Sequence, residues 1–218
     1  MSQRRRTAIL ISGRGSNMAA LLDAAADPAY PAEIALVLSN RADAAGLARA
    51  ARAGIPTAVV ESRRFGKDRA GFEAAMEAEL AAHDIALIAL AGFMRVLTEG
   101  FTQRWEGRML NIHPSLLPAF PGLDTHARAL AAGVRLHGCT VHLVTPGVDE
   151  GPIVAQAAVP VLAGDTEEAL ARRVLAEEHR LYPTALGWLA SGRLRLEAGR
   201  AVVDPAPSPS GESLRNPG

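Results

Sequence analysis

In Met109-Leu110-Asn111-Ile112-His113-Pro114, a carboxamide and an imidazole stand two residues apart at the end of a short apolar run. Alternate side chains of a strand share a face, so Asn111 and His113 point one way and Leu110 and Ile112 the other. An amide N–H can donate to an oxygen that gathers negative charge, and imidazole exchanges a proton near neutral pH. Pro114 forces the chain out of a sheet and leaves His113 at its rim. A lone histidine is more often structural; the asparagine on the same face argues against that reading here. Asp149 lies in the glycine- and proline-bounded loop Thr145–Pro152. A carboxylate there can orient a histidine and stabilise its charged form. It can equally satisfy turn N–H groups, and spacing alone does not pair it with His113. His142, in the alternating run Thr140–Val144, reads as core or as a supporting residue rather than a catalyst.

Two further places carry polar groups where a ligand is expected. Ser12-Gly13-Arg14-Gly15-Ser16-Asn17 follows the first apolar run and opens a helical pattern. Free backbone N–H groups and the positive helix end can hold an anion there, with Gly15, Ser16 and Asn17 in the cradle. The alternative is a tight turn with Ser16 or Asn17 as a helix cap. The loop has neither the Lys-Ser/Thr ending of a P-loop nor the G-x-G-x-x-G spacing, so a monophosphate fits better than an NTP or a dinucleotide. Glu178 falls in the middle of the apolar stripe formed by Leu170, Val174 and Leu181. A carboxylate on that face needs a partner, either a framework arginine or a substrate amine or hydroxyl.

The elements that must position these groups alternate regularly. Strand-like runs are Thr7–Ser12, Ile34–Ser39, Thr57–Val60, Ile85–Ala91, Met109–Ile112, Thr140–Val144 and Ile153–Val161. Helical patterns cover Asn17–Ala26, Ala44–Ala53, Arg69–Ala82, Thr125–Ala132 and Thr166–Tyr182, with Pro183 expected to end or kink the last and a further helical stretch reaching Ala190. Short apolar runs between amphipathic helices predict an α/β fold, a mostly parallel Rossmann-like sheet covered on both faces. Leu194–Val203 predicts a small antiparallel addition at the C-terminal end, a hairpin around Gly199. One domain over 7–203 is expected, with flexible termini at 1–6 and 204–218.

Composition narrows the partners. The chain has 23 basic and 23 acidic residues, so no global charge draws it to nucleic acid or an anionic membrane. The single Cys139 excludes an intrachain disulfide. The apolar run after Met1–Arg6 is too short for a signal peptide, and no run approaches the ~20 apolar residues of a membrane span. A cytoplasmic protein, monomeric or homodimeric, is expected. The six histidines lack H-x-x-x-H or H-E-x-x-H spacing, so no metal is expected.

Taken together, ISGRGSN (11–17), LAGFMRVL (90–97), LNIHPSLLPAFPGLDTH (110–126), HGCTVHLVTPGVDEGPIV (137–154) and EEHRLYP (177–183) resemble the folate-dependent phosphoribosylglycinamide formyltransferases, from about Ala8 to Val203. The resemblance implies formyl transfer from 10-formyltetrahydrofolate to the amine of glycinamide ribonucleotide. It implies Asn111, His113 and Asp149 as catalytic residues and Gly15, Ser16 and Asn17 as the phosphate loop. Glu178 would hold the nucleotide substrate. Met94, Arg95, Val96 and Leu97 would grip the folate largely through backbone groups, joined by Asn111 and by Arg69, whose flanking loop aligns ambiguously. Arg14 stands where the family often has a small polar residue, and no role is carried to it. Rival readings are a formyltetrahydrofolate hydrolase, which typically adds an N-terminal regulatory domain, methionyl-tRNA formyltransferase, which adds a C-terminal RNA-binding domain, and a non-enzymatic phosphate-ligand module. The six residues before the first strand and the short stretch after the Asp149 loop are expected to leave no room for either extra domain.

Overall fold

The computed structural model describes residues 4–205. Strands β1 (Arg5–Ile11), β2 (Ala32–Ser39), β3 (Thr57–Val59), β4 (Leu87–Leu90), β5 (Met109–His113), β6 (Leu136–Leu143) and β7 (Ile153–Pro160) form one sheet in the order β3-β2-β1-β4-β5-β6-β7. The first five are parallel; β6 and β7 run antiparallel to their neighbours. Strands β8 (Leu194–Glu197) and β9 (Arg200–Val203) form a separate antiparallel hairpin.

The helices are α1 (Ser16–Ala25), α2 (Ala45–Arg52), α3 (Arg69–Ala82), α4 (Glu99–Arg104), α5 (Thr125–Ala131) and α6 (Glu167–Ala190). Ile9 and Ile11 of β1 pack with Met18 and Leu21 of α1 and Leu186 of α6. Ala8 and Leu10 face the other way, onto Phe72, Met76 and Leu80 of α3. Both faces of the parallel region are therefore covered, which is why its strands read as continuous apolar runs.

Several boundaries differ from the sequence pattern for local reasons. β1 begins at Arg5, because the Arg4 guanidinium donates to the Ala25 and Ala32 carbonyls and Arg5 N–H to Pro31 O. Residues 4–6 are thus hydrogen-bonded to the sheet and its flanking turns; residues 1–3 and 206–218 of the expected flexible termini lie outside the described residues. β5 extends through His113, and β6 starts four residues before Thr140. Helix α4 was not expected; the Thr98 hydroxyl caps it by accepting from Phe101 N–H. Helix α6 runs unbroken through Pro183. Proline costs a helix interior ~3 kcal/mol, but buried Val174, Glu178 and Tyr182 before it and Ala185, Leu186 and Leu189 after it form one stripe. Burying that stripe outweighs the local penalty, and Tyr30 Oη donates to the Pro183 carbonyl at 2.6 Å.

Tyr182 is wholly buried, and its hydroxyl lies 2.9 Å from Leu90 O and 3.1 Å from Leu110 O, tying α6 to the carboxyl half of the sheet. Tyr182→Phe is expected to lower unfolding free energy by ~1–2 kcal/mol, read as a lower urea midpoint at unchanged slope.

Candidate active site

Strand order reverses between β1 and β4, and open α/β sheets bind ligands outside the carboxyl ends of strands at such a switch point. Ser12, just past β1, binds three loops there. Its hydroxyl donates to Asn40 Oδ1 at 2.6 Å and accepts from Met94 N–H at 2.7 Å, while its own N–H reaches Gly92 O at 3.1 Å. Gly15 caps α1 in a left-handed conformation (φ 71°), where a Cβ would also press on Met18 and Gly46. No side chain caps α1, and its first intrahelical bond is Ala19 N–H to Gly15 O. The N–H groups of Ser16, Asn17 and Met18 are left as donors for an anion.

Glu178 is buried, and its Oε2 accepts from Asn17 Nδ2 at 2.8 Å. The framework arginine that the sequence left open does not pair with it among the described residues. Burial pushes its carboxyl above the usual range, against the lowering effect of the Asn17 bond. The start of α1 and the middle of α6 thus meet as one polar wall.

The second wall lies on β5 and β6. Asn111 and His142 are cross-strand partners in the antiparallel register, and Asn111 Nδ2 lies 3.1 Å from His142 Nε2. His142 Nδ1 lies 3.0 Å from Leu143 O, so it carries the proton. Burial holds this ring below the usual histidine range, which leaves Nε2 as an acceptor and fixes the amide with its NH₂ toward the ring. The second N–H of Asn111 remains as a donor.

His113 is buried with oxygen acceptors at both nitrogens: Phe120 O lies 3.0 Å from Nε2 and Asp149 Oδ2 3.3 Å from Nδ1. Asp149 adopts φ 57°, accepts from Gly122 N–H at 2.8 Å, and places Oδ1 3.8 Å from His142 Nε2. Its loop folds tightly onto β6, since a Cβ on Gly151 would fall 1.7 Å from Leu143 O. A cavity of about 360 Å³ opens beside it, lined by Leu117, Pro118, Val148 and Ile153 with Asp149.

Residues 94–97 form an irregular segment after β4. Met94 and Val96 are exposed, Leu97 is buried, and Arg95 stands over the Phe72 ring at 6.0 Å. Arg69, at the start of α3, donates to Val96 O and so belongs beside this segment. The geometry adds His142, Ser12 and the Gly122 N–H to the residues read from the sequence. His142 had a signal, its alternation with Thr140, but its value depended on the strand's direction. Among the described residues no cluster of three or more His, Cys, Asp or Glu side chains is arranged to hold a metal, and no helix is long and apolar enough to cross a membrane.

The formyl transferase family model matches residues 5–186. The chain belongs to the formyl transferase family. It is 43% identical over 196 residues to phosphoribosylglycinamide formyltransferase of Escherichia coli, covering 90% of this chain and 92% of that protein. It is 50% identical over 196 residues to the trifunctional purine biosynthetic protein adenosine-3 of Bos taurus, covering 89% of this chain and 19% of that protein. The chain therefore spans about a fifth of the length of that trifunctional relative. Glycinamide ribonucleotide transformylase 1 from Symbiobacterium toebii superposes with a TM-score of 0.89 at 48% identity, over 93% of this chain and 95% of that one.

Glu178 also predicts a pH signature. Its folded pKa is raised above the unfolded 4.5, so its contribution is fully present below that value and is lost as pH rises through the folded pKa. Glu178→Gln is expected to gain stability over the parent as pH rises from 4.5, read from urea unfolding of both proteins at several pH values.

Proposed function

We propose that the chain transfers the formyl group of 10-formyltetrahydrofolate to the amine of 5′-phosphoribosylglycinamide, a step of purine synthesis. The observation that carries this reading is the meeting of His113 with Asp149, and of Asn111 with His142, at the carboxyl end of β5, in a sheet whose β1 leads at the same end into the open N-terminus of α1. The names of the Escherichia coli and Symbiobacterium toebii relatives support it.

On this reading the nucleotide phosphate lies on the Ser16–Met18 amides, and Glu178 with Asn17 holds the rest of the nucleotide. The folate lies along Met94–Leu97 with Arg69 at its edge. The amine attacks the formyl carbon and forms a tetrahedral intermediate with negative charge on oxygen. The free N–H of Asn111 and the His113 ring donate to that oxygen. Asp149 Oδ2, 3.3 Å from Nδ1, keeps the ring oriented for this. Loss of a proton from the attacking nitrogen and protonation of N10 then break the C–N10 bond and release tetrahydrofolate. No step forms a covalent enzyme intermediate or passes through a metal; alignment of two bound substrates supplies much of the acceleration. On this reading the chain is a small-molecule enzyme of the cytoplasm, monomeric or homodimeric, with no nucleic-acid or membrane partner.

The test is to follow folate absorbance with and without the nucleotide. Nucleotide-dependent turnover supports the transferase; equal turnover without it supports a hydrolase, and none supports a binding module. His113→Ala and Asn111→Ala are each expected to lower kcat by ~10²-fold or more, and near-parental kcat in both would remove the assigned chemistry.

A further inference from the structure

The segment Met94–Leu97, between β4 and α4, has no ladder or helix bonds of its own, and its backbone is held from outside. Met94 N–H donates to the Ser12 hydroxyl at 2.7 Å, Val96 O accepts from Arg69, and the next N–H, that of Thr98, donates to Glu73 Oε1 at 2.6 Å. The last two holds come from one face of α3. Asp68 caps that helix by accepting from Gly71 N–H at 2.9 Å, which fixes where the face begins. Arg69, Phe72 and Glu73 follow at spacings of three and four, so they share one side of the helix. Between the two holds, the Phe72 ring lies under Arg95 at 6.0 Å. The N–H groups of Arg95, Val96 and Leu97 make no hydrogen bond among the described residues.

Glu73 is the unusual member of that face. It is 7% exposed, makes no ion pair among the described residues, and gives both oxygens to Thr98, Oε1 to its N–H and Oε2 to its hydroxyl. The Thr98 hydroxyl also accepts from Phe101 N–H at 3.4 Å, and a threonine cap starts a helix without help from a carboxylate. A charge withdrawn from water with no cation beside it is costly, so capping α4 does not explain Glu73. What the residue does fix is the course of the main chain where Met94–Leu97 ends. We infer that Glu73 is a positioning residue: together with Arg69 it holds the free N–H groups of Arg95, Val96 and Leu97 in place for the folate, and so sets the affinity for that substrate. This rests on the formyl-transfer reading, in which the folate lies along this segment. Glu73 acts through Thr98 and touches no reacting atom.

The test uses the full chain, with Glu73→Ala, Glu73→Gln and Thr98→Val. Glu73→Ala is expected to raise the folate KM about tenfold, equivalent to ~1.4 kcal/mol, with kcat and nucleotide KM within about twofold of parental. Glu73→Gln keeps an acceptor for Thr98 N–H and is expected to recover most of that loss. Thr98→Val removes the hydroxyl alone and is expected to raise the folate KM about threefold, adding little to Glu73→Ala in the double variant. Urea unfolding of each variant separates this from stability, since a purely structural role lowers the midpoint and leaves the folate KM unmoved. A folate KM within about twofold of parental in Glu73→Ala, or in Thr98→Val where the alanine variant does not fold, would overturn the inference, as would equal rises in both KM values. If the parent forms no product, the functional reading fails, and calorimetric titration with 10-formyltetrahydrofolate decides this one. Weaker binding by Glu73→Ala than by the parent then supports it, and equal binding, or no binding by the parent, overturns it.

Discussion

The Asp149 carboxylate is the joint on which the site depends. Its left-handed backbone and the tight return of the loop onto β6 direct one oxygen to both His113 and the Gly122 N–H. Gly122 belongs to the same loop as Phe120, whose carbonyl holds the other side of the His113 ring. One carboxylate therefore fixes the histidine directly and through the loop that covers it. His142, bonded to Asn111 through Nε2, lies beside the same carboxylate, so four side chains from β5, β6 and the loop after β6 gather in one buried polar cluster. In such a setting each member's partners decide which groups remain as donors.

The parallel half of the fold was legible because buried strands and amphipathic helices carry distinct periods. Direction was not legible: alternation in Thr140–Val144 is the same whether the strand runs up or down. Only the antiparallel register places His142 opposite Asn111, which is why the sequence placed it merely among core or supporting residues. Pro183 misled for a different reason, since a local rule met a stripe of buried side chains that holds α6 straight. Helix α4 has six residues, too few to show a period. The Gly15 turn was legible because its conformation and close contacts call for glycine.

Burial at Glu178 sets stability against the binding role proposed for it. A carboxylate with one amide partner in an apolar stripe is costly to ionise, and a neutral side chain there would suit the fold better. On the proposed reading the strain is relieved when substrate donors arrive, so the residue is explained by the ligand and not by packing.

The central claim is that the carboxamide, the imidazole and the α1 amides address a single bound pair of substrates. A crystal structure with the nucleotide and a folate bearing a non-transferable group at N10 tests it most directly. The account predicts the carbonyl oxygen of that group within hydrogen-bond distance of Asn111 Nδ2 and the His113 ring, with the phosphate on Ser16–Met18. A complex in which the phosphate sits elsewhere, or in which that oxygen contacts neither side chain, would contradict it.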